Sequence, residues 1–213
     1  MSFNLVAHRI DGLGALGGTS GNLDTTTANL LLVVVATFST GPTVSDSKSN
    51  TWNALTAQSG SGNLQAFWSA PISVGSGHNF TTNGTFSSIW IGAYSGAHAS
   101  PFDVENGSVG SNQPGSVTPA NASSLLVCAS DPNNDVSPGP TINLSFVKQD
   151  FVAAIGGVQY GLCVADLILD AATPTNPTWT PESSSTSEAV IAVFRGQAGG
   201  VALLPFRTTI DAQ

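Results

Sequence analysis

Charge is what this chain has least of. Five of its 213 residues are Lys or Arg and thirteen are Asp or Glu, 8% charged in all, against about 25% in an average soluble domain. Hydrophobic residues still make up 41%, so the missing charges have been replaced mainly by Ser, Thr, Asn and Gly. A chain with that apolar content does not have the composition of charge-driven disorder. Long hydrophobic runs are absent too: none approaches the roughly eighteen residues of a membrane helix, and the longest, Leu30 to Ala36, has the length of a buried strand. The basic residues Arg9, Lys48, Lys148, Arg195 and Arg207 are scattered. They form no stripe that could neutralise phosphates, so nucleic acid is not an expected partner, and neither is a membrane.

The N-terminal segment Met1 to Arg9 has no basic stretch followed by a sustained apolar run and a small-residue cleavage site. The expectation is synthesis in a cytoplasm without a signal peptide. There are two cysteines, Cys128 and Cys163, each inside an apolar strand-like run. That setting favours two buried reduced thiols over a bridge.

Helical periodicity is missing as well. No stretch of about eleven residues keeps an apolar face at helical spacing while avoiding Gly, Pro and β-branched residues; only Phe151 to Ile155 could form one helical turn. What remains reads as strands: Phe3–Ile10, Asn29–Phe38, Thr51–Ala57, Leu64–Ala70, Asn79–Thr82, Ser88–Tyr94, Ser124–Ala129, Ile142–Val147, Gln159–Leu169 and Ala189–Arg195. Turn clusters such as Ser45–Asn50, Asn83-Gly84 and Asp131–Asn134 separate them. The run Ala28-Asn29-Leu30-Leu31-Leu32-Val33 is echoed by Ala120–Val127, and Ser88–Gly96 by Glu188–Gly196. If these four apolar strands occupy the middle of the sheets, the fold is all-β: a two-sheet antiparallel β-sandwich of jelly-roll type, and the echoed runs point to two similar halves. The expected divisions are an N-terminal strand and Gly-rich loop (1–23), the sandwich (24–196) and a C-terminal arm (197–213). The arm carries Val201, Leu203, Leu204 and Phe206 where polar residues are usual, and so should dock on its own sandwich or on a neighbouring subunit. With Phe3 and Leu5 these are the candidate assembly residues.

Catalytic patterns are absent. The segment Gly92-Ala93-Tyr94-Ser95-Gly96 has the wrong spacing for a nucleophile elbow and no following helix. His8, His78 and His98 lack neighbours at metal-ligand spacing; His78 and His98 read as loop or strand-end residues. The oxygen-rich segment Asp131-Pro132-Asn133-Asn134-Asp135 offers fewer ligands than calcium requires. No metal and no cofactor are expected, and the chain does not read as an enzyme. Among the tryptophans, Trp90 reads as core. Trp179, between Pro177 and Pro181, is the best placed for stacking on a sugar. Trp179, Asp131 and Asp135 are thus the candidate ligand residues of an alternative reading, a carbohydrate-binding or adhesin module for cell-surface glycans.

The segments Asp24–Val33 and Val44–Trp52, with Ser95-Gly96 and Ser100-Pro101-Phe102-Asp103, resemble a loosely defined set of Ser/Thr/Gly-rich β-sandwich proteins of bacteriophage virions and bacterial surfaces. The likeness spans most of residues 24 to 196 and carries a fold, with no catalytic residues. It implies a virion structural protein, a capsid decoration or tail or fibre component, with localisation to the virion or alternatively the bacterial surface. The expected partners are copies of itself, with a trimer favoured, and other capsid or tail proteins.

Overall fold

The computed structural model describes residues 3–39, 41–70, 72–132, 137–181 and 187–197. Among these there is no helix. The first half of the chain carries β1 (Asn4–Gly14), β2 (Gly18–Thr19), β3 (Leu30–Thr37), β4 (Val44–Asp46), β5 (Asn53–Ala54), β6 (Gln58–Ser59), β7 (Asn63–Ser69), β8 (Phe80–Thr82) and β9 (Ser87–Ser95). The second half carries β10 (Ala97–Ser108), β11 (Ser124–Ser130), β12 (Thr141–Ile142), β13 (Val147–Val152), β14 (Leu162–Leu169), β15 (Trp179–Thr180) and β16 (Ala189–Gly196).

Two large antiparallel sheets face each other. One has the order β1-β9-β3-β7-β5, with β6 also on β7, and the other β10-β16-β11-β14-β13. The four apolar strands of the sequence, β3, β9, β11 and β16, therefore stand side by side in pairs in the interior of the sheets. Alternation decides which side chains meet. Leu30, Leu32, Val34, Trp90 and Tyr94 from one sheet join Leu125, Val127, Val164, Ala192 and Phe194 from the other in a shared core. Gly92, in the middle of β9, is needed for this packing: a Cβ there would lie 2.2 Å from a carbon of the Trp90 ring.

The intervening residues of these strands are just as apolar because each sheet is covered on its outside too. Leu31, Val33, Val35, Ile89 and Ile91 pack with Phe80 of the small sheet β2-β8-β4. Leu126, Cys128, Ile191 and Val193 pack with Trp179 and Ile142 of the β12-β15 pair, and with Phe146 and Val117. All eight residues of β3 are consequently buried. Cys128 and Cys163 are both buried, and burial pushes the Cys128 thiol well above its ordinary range.

The expected all-β antiparallel sandwich is what forms. Its jelly-roll type is not confirmed: in a jelly roll the chain alternates between its two sheets, whereas each sheet here is drawn from one half of the chain. Other expectations are corrected. The N-terminal strand pairs with the body: β1 is an edge strand on β9, and β2 joins the outer sheet through β8. Register shifts between Leu5 and Ala7 and between Gly12 and Gly14 let this glycine-rich run follow its partner. The polar twelve-residue β10, missing from the expected strands, is an edge strand that takes Pro101 within a register irregularity. The expected strand Ile142–Val147 is split, and Phe151-Val152, read as a possible helical turn, closes β13.

Candidate functional site

The sheets have two unlike ends. At one, Phe38 follows β3 and Phe86 precedes β9, and their rings meet edge to face at 6.3 Å; Phe38 also lies 6.3 Å from the Tyr160 ring. Backbone bonds lash three turns together there: the Phe86 amide donates to the Ala15 carbonyl (3.3 Å) and the Tyr160 amide to the Phe86 carbonyl (2.8 Å). Phe86 is held at φ +50°, a left-handed conformation that a bulky side chain adopts only when its surroundings impose it. The hairpin from Ile155 to Gln159 completes this end. The result is an apolar cap in which Leu16 is 88% exposed, Phe38 60%, Ile155 51% and Val158 42%.

Beneath the cap lies a pair of carboxyl groups. Asp131 and Glu188 are both buried. The Glu188 amide donates to Asp131 Oδ1 (2.7 Å), and Glu188 Oε1 accepts from the Ser61 amide (3.1 Å). Asp131 Oδ2 is buried without a donor. Burial first, and then the facing Glu188 carboxylate, hold Asp131 protonated well above the usual carboxylate range. The Tyr160 hydroxyl donates to the Ser61 carbonyl (2.8 Å), tying the cap to the loop over the pair; burial and the two carboxylates raise its pKa as well.

Two further polar clusters are interior, whereas the ion pairs His8–Asp150 and Arg9–Asp11 lie at the surface. Thr25 Oγ1 and His78 Nδ1 are 2.9 Å apart, and His78 Nε2 and Asp46 Oδ1 are 2.9 Å apart. This looks like a hydrolase triad, yet Thr25 and His78 are fully buried, as is the Asp46 side chain, so no substrate reaches them. Asp46 is instead a structural hub. Burial pulls its pKa upward, but donation from His78, the Lys48 amide, the Trp52 indole and the Asn50 amide outweighs this and leaves it lowered. Between the large sheets, Tyr94 donates to Asp166 (2.7 Å) and the Trp90 indole to Asp150 (2.8 Å). Among the described residues no group of three or more His, Cys, Asp or Glu side chains could hold a metal.

Most of the residues singled out in the sequence lie elsewhere than expected. Trp179 is 1% exposed, with its indole directed to Cys128 Sγ at 3.2 Å, so it is core and not a stacking platform; two flanking prolines suggest exposure only if nothing covers the strand. Asp131 is likewise buried, as the carboxyl partner of Glu188, and not a loop ligand. Asp135 lies outside the described residues, as do Val201, Leu203, Leu204 and Phe206. Phe3 is buried in the shared core, and the partly buried Leu5 packs against it. His78 is an interior residue stacked on Phe80 at 4.3 Å, not a loop residue. The cap is not legible in sequence because its parts are far apart there; Leu16 before a glycine and Phe38 at the end of an apolar run are its local signals. Comparisons of the chain with family models, curated proteins and solved structures give no match.

Proposed function

We propose that this chain is a non-enzymatic structural protein of a bacteriophage virion, a capsid decoration or tail or fibre surface component that works through protein–protein assembly. The observation that carries the reading is the cap. Four strongly exposed apolar residues gathered at one end of a sandwich, on a floor of Phe86 and Tyr160, form the kind of patch that marks an interaction surface. The buried clusters around Asp131 and Asp46, in contrast, are satisfied internally, which favours assembly over catalysis at those groups. The parallel strand orders of the two sheets favour a chain of two similar halves, each supplying one sheet. Such a body relies on burial and paired backbone, which suits a particle exposed outside cells. The test is proteomics of purified phage particles together with gold-labelled antibody on intact virions. Labelling of the particle surface is expected; recovery of the protein only in the soluble fraction of the lysate would refute the proposal.

A further inference from the structure

We propose that the end of the sandwich opposite the cap binds the carboxylate of an acidic sugar, with Arg195 as its anchor. Strand β10 makes the site by losing register with β16. Ala97 stands opposite Gly196 and Phe102 opposite Phe194, so His98 to Pro101 bulge out opposite Arg195 alone. The Arg195 guanidinium is held in that bulge, where Nη2 donates to the carbonyls of Ser100 (2.8 Å) and Phe102 (2.9 Å). Its Nε is buried with no acceptor. Of the two described guanidinium groups, that of Arg9 is paired with Asp11, whereas no carboxylate among the described residues lies within ion-pair distance of Arg195. A partly buried cation with a donor unspent and no counter-ion suits a carboxylate, which its planar fork can grip. The same cleft, of about 270 Å³, carries two further donors, His98 and Asn121, both exposed. The His98 Nδ1 accepts from the Ser100 amide (3.0 Å), which leaves Nε2 to donate outward.

His98 also borders an adjoining cleft of about 320 Å³, walled by Ala28, Ala70, Ile72 and Ala99. A third cleft shares Ala70 and Ile72 with the second and presents Asn50, Thr51, Asn53 and Ser73. Across this end the chain thus offers a cation, then a small apolar hollow, then neutral hydroxyl and amide groups. That succession matches a sugar acid bearing an acetamido group: carboxylate on Arg195, methyl against the alanines, hydroxyls on the third cleft. A bare oxyanion would use the cation alone. The chain as a whole, at a formal net charge of -8, repels anions, so the attraction is local to Arg195.

The test is NMR titration of the full-length chain with sialyllactose, with lactose and with inorganic phosphate. Sialyllactose is expected to bind and to shift the Arg195 Nε–H signal, and lactose, which lacks the carboxylate, to do neither. Arg195→Gln should weaken sialyllactose binding by about tenfold or more, because a charge-assisted pair is lost. His98→Ala, at an exposed position, should weaken it less. It takes over the test should circular dichroism show Arg195→Gln unfolded, and unchanged affinity in it then counts against the site. Equal binding of sialyllactose and lactose, no binding of sialyllactose, or undiminished binding by Arg195→Gln overturns the proposal. Binding of phosphate without sialyllactose overturns the sugar acid in favour of a bare oxyanion. None of these outcomes touches the cap, so the assembly reading stands or falls by its own test.

Discussion

Replacing Asp131 by Asn isolates the most unusual electrostatic feature of the fold. In the wild-type chain the buried Asp131 carboxyl keeps its proton against the Glu188 carboxylate, while in the unfolded chain an aspartate ionises near its ordinary value of 3.8. Below that value both states are protonated and the proton has no effect on stability. As pH rises, the unfolded chain releases a proton that the folded one retains. The wild type therefore loses about 1.4 kcal/mol of stability per pH unit from this group until the folded Asp131 ionises. Asp131→Asn replaces the carboxyl by an amide that does not ionise, and Oδ1 can still accept from the Glu188 amide. That contribution then becomes independent of pH. Urea denaturation of both proteins between pH 5 and 7 is the assay. This window lies above the range where the lowered Asp46 contributes its own slope, since stability from Asp46 is present above 3.8 and lost only as pH falls. The variant should gain on the wild type as pH rises from 5 to 6, by at most about 1.4 kcal/mol. Parallel stability profiles would refute the reasoning, because they would mean that Asp131 ionises in the folded protein as it does in the unfolded chain.

Trp179→Ala should cost about 3–5 kcal/mol in denaturant unfolding as a core truncation; an unchanged midpoint would mean the ring is not packed as described. Gly92→Ala, which pushes a Cβ into the Trp90 ring, should lower stability by about 1–3 kcal/mol through overpacking, a loss that thermal unfolding would detect, and Trp90→Leu in the same chain should relieve part of it. Cys128 and Cys163, both buried, should fail to react with a thiol reagent in native buffer and react with two equivalents in denaturant; rapid native labelling would contradict their burial.

The class of fold was legible because backbone pairing imposes local patterns. Leu30 to Ala36 and Leu125 to Ala129 are short, apolar and rich in branched residues, and they do form central strands. Trp90 was readable as core for the same reason, since residues on both sides of it are apolar. Short and polar edge strands were not legible. β10 owes its extended form to pairing with β16, and nothing in His98-Ala99-Ser100-Pro101 announces it. The exposure of aromatic residues was not legible either: Trp179 is flanked by prolines and buried, whereas Phe38 ends an apolar run and is exposed. Each outcome depends on which distant segment lies over the ring.

By itself the sequence determined that this protein is a charge-poor chain of apolar strands with few candidates for chemistry, because strand formation and the scarcity of charge are local properties. Tertiary structure alone decided that Asp131 meets Glu188 from 57 residues away, that Thr25, His78 and Asp46 close a buried hub, and that Leu16, Phe38, Ile155 and Val158 share one exposed end. A buried carboxyl pair and an apolar cap are properties of juxtaposition. They exist only after strand order and register have brought together residues whose own neighbours in sequence carry no trace of the meeting.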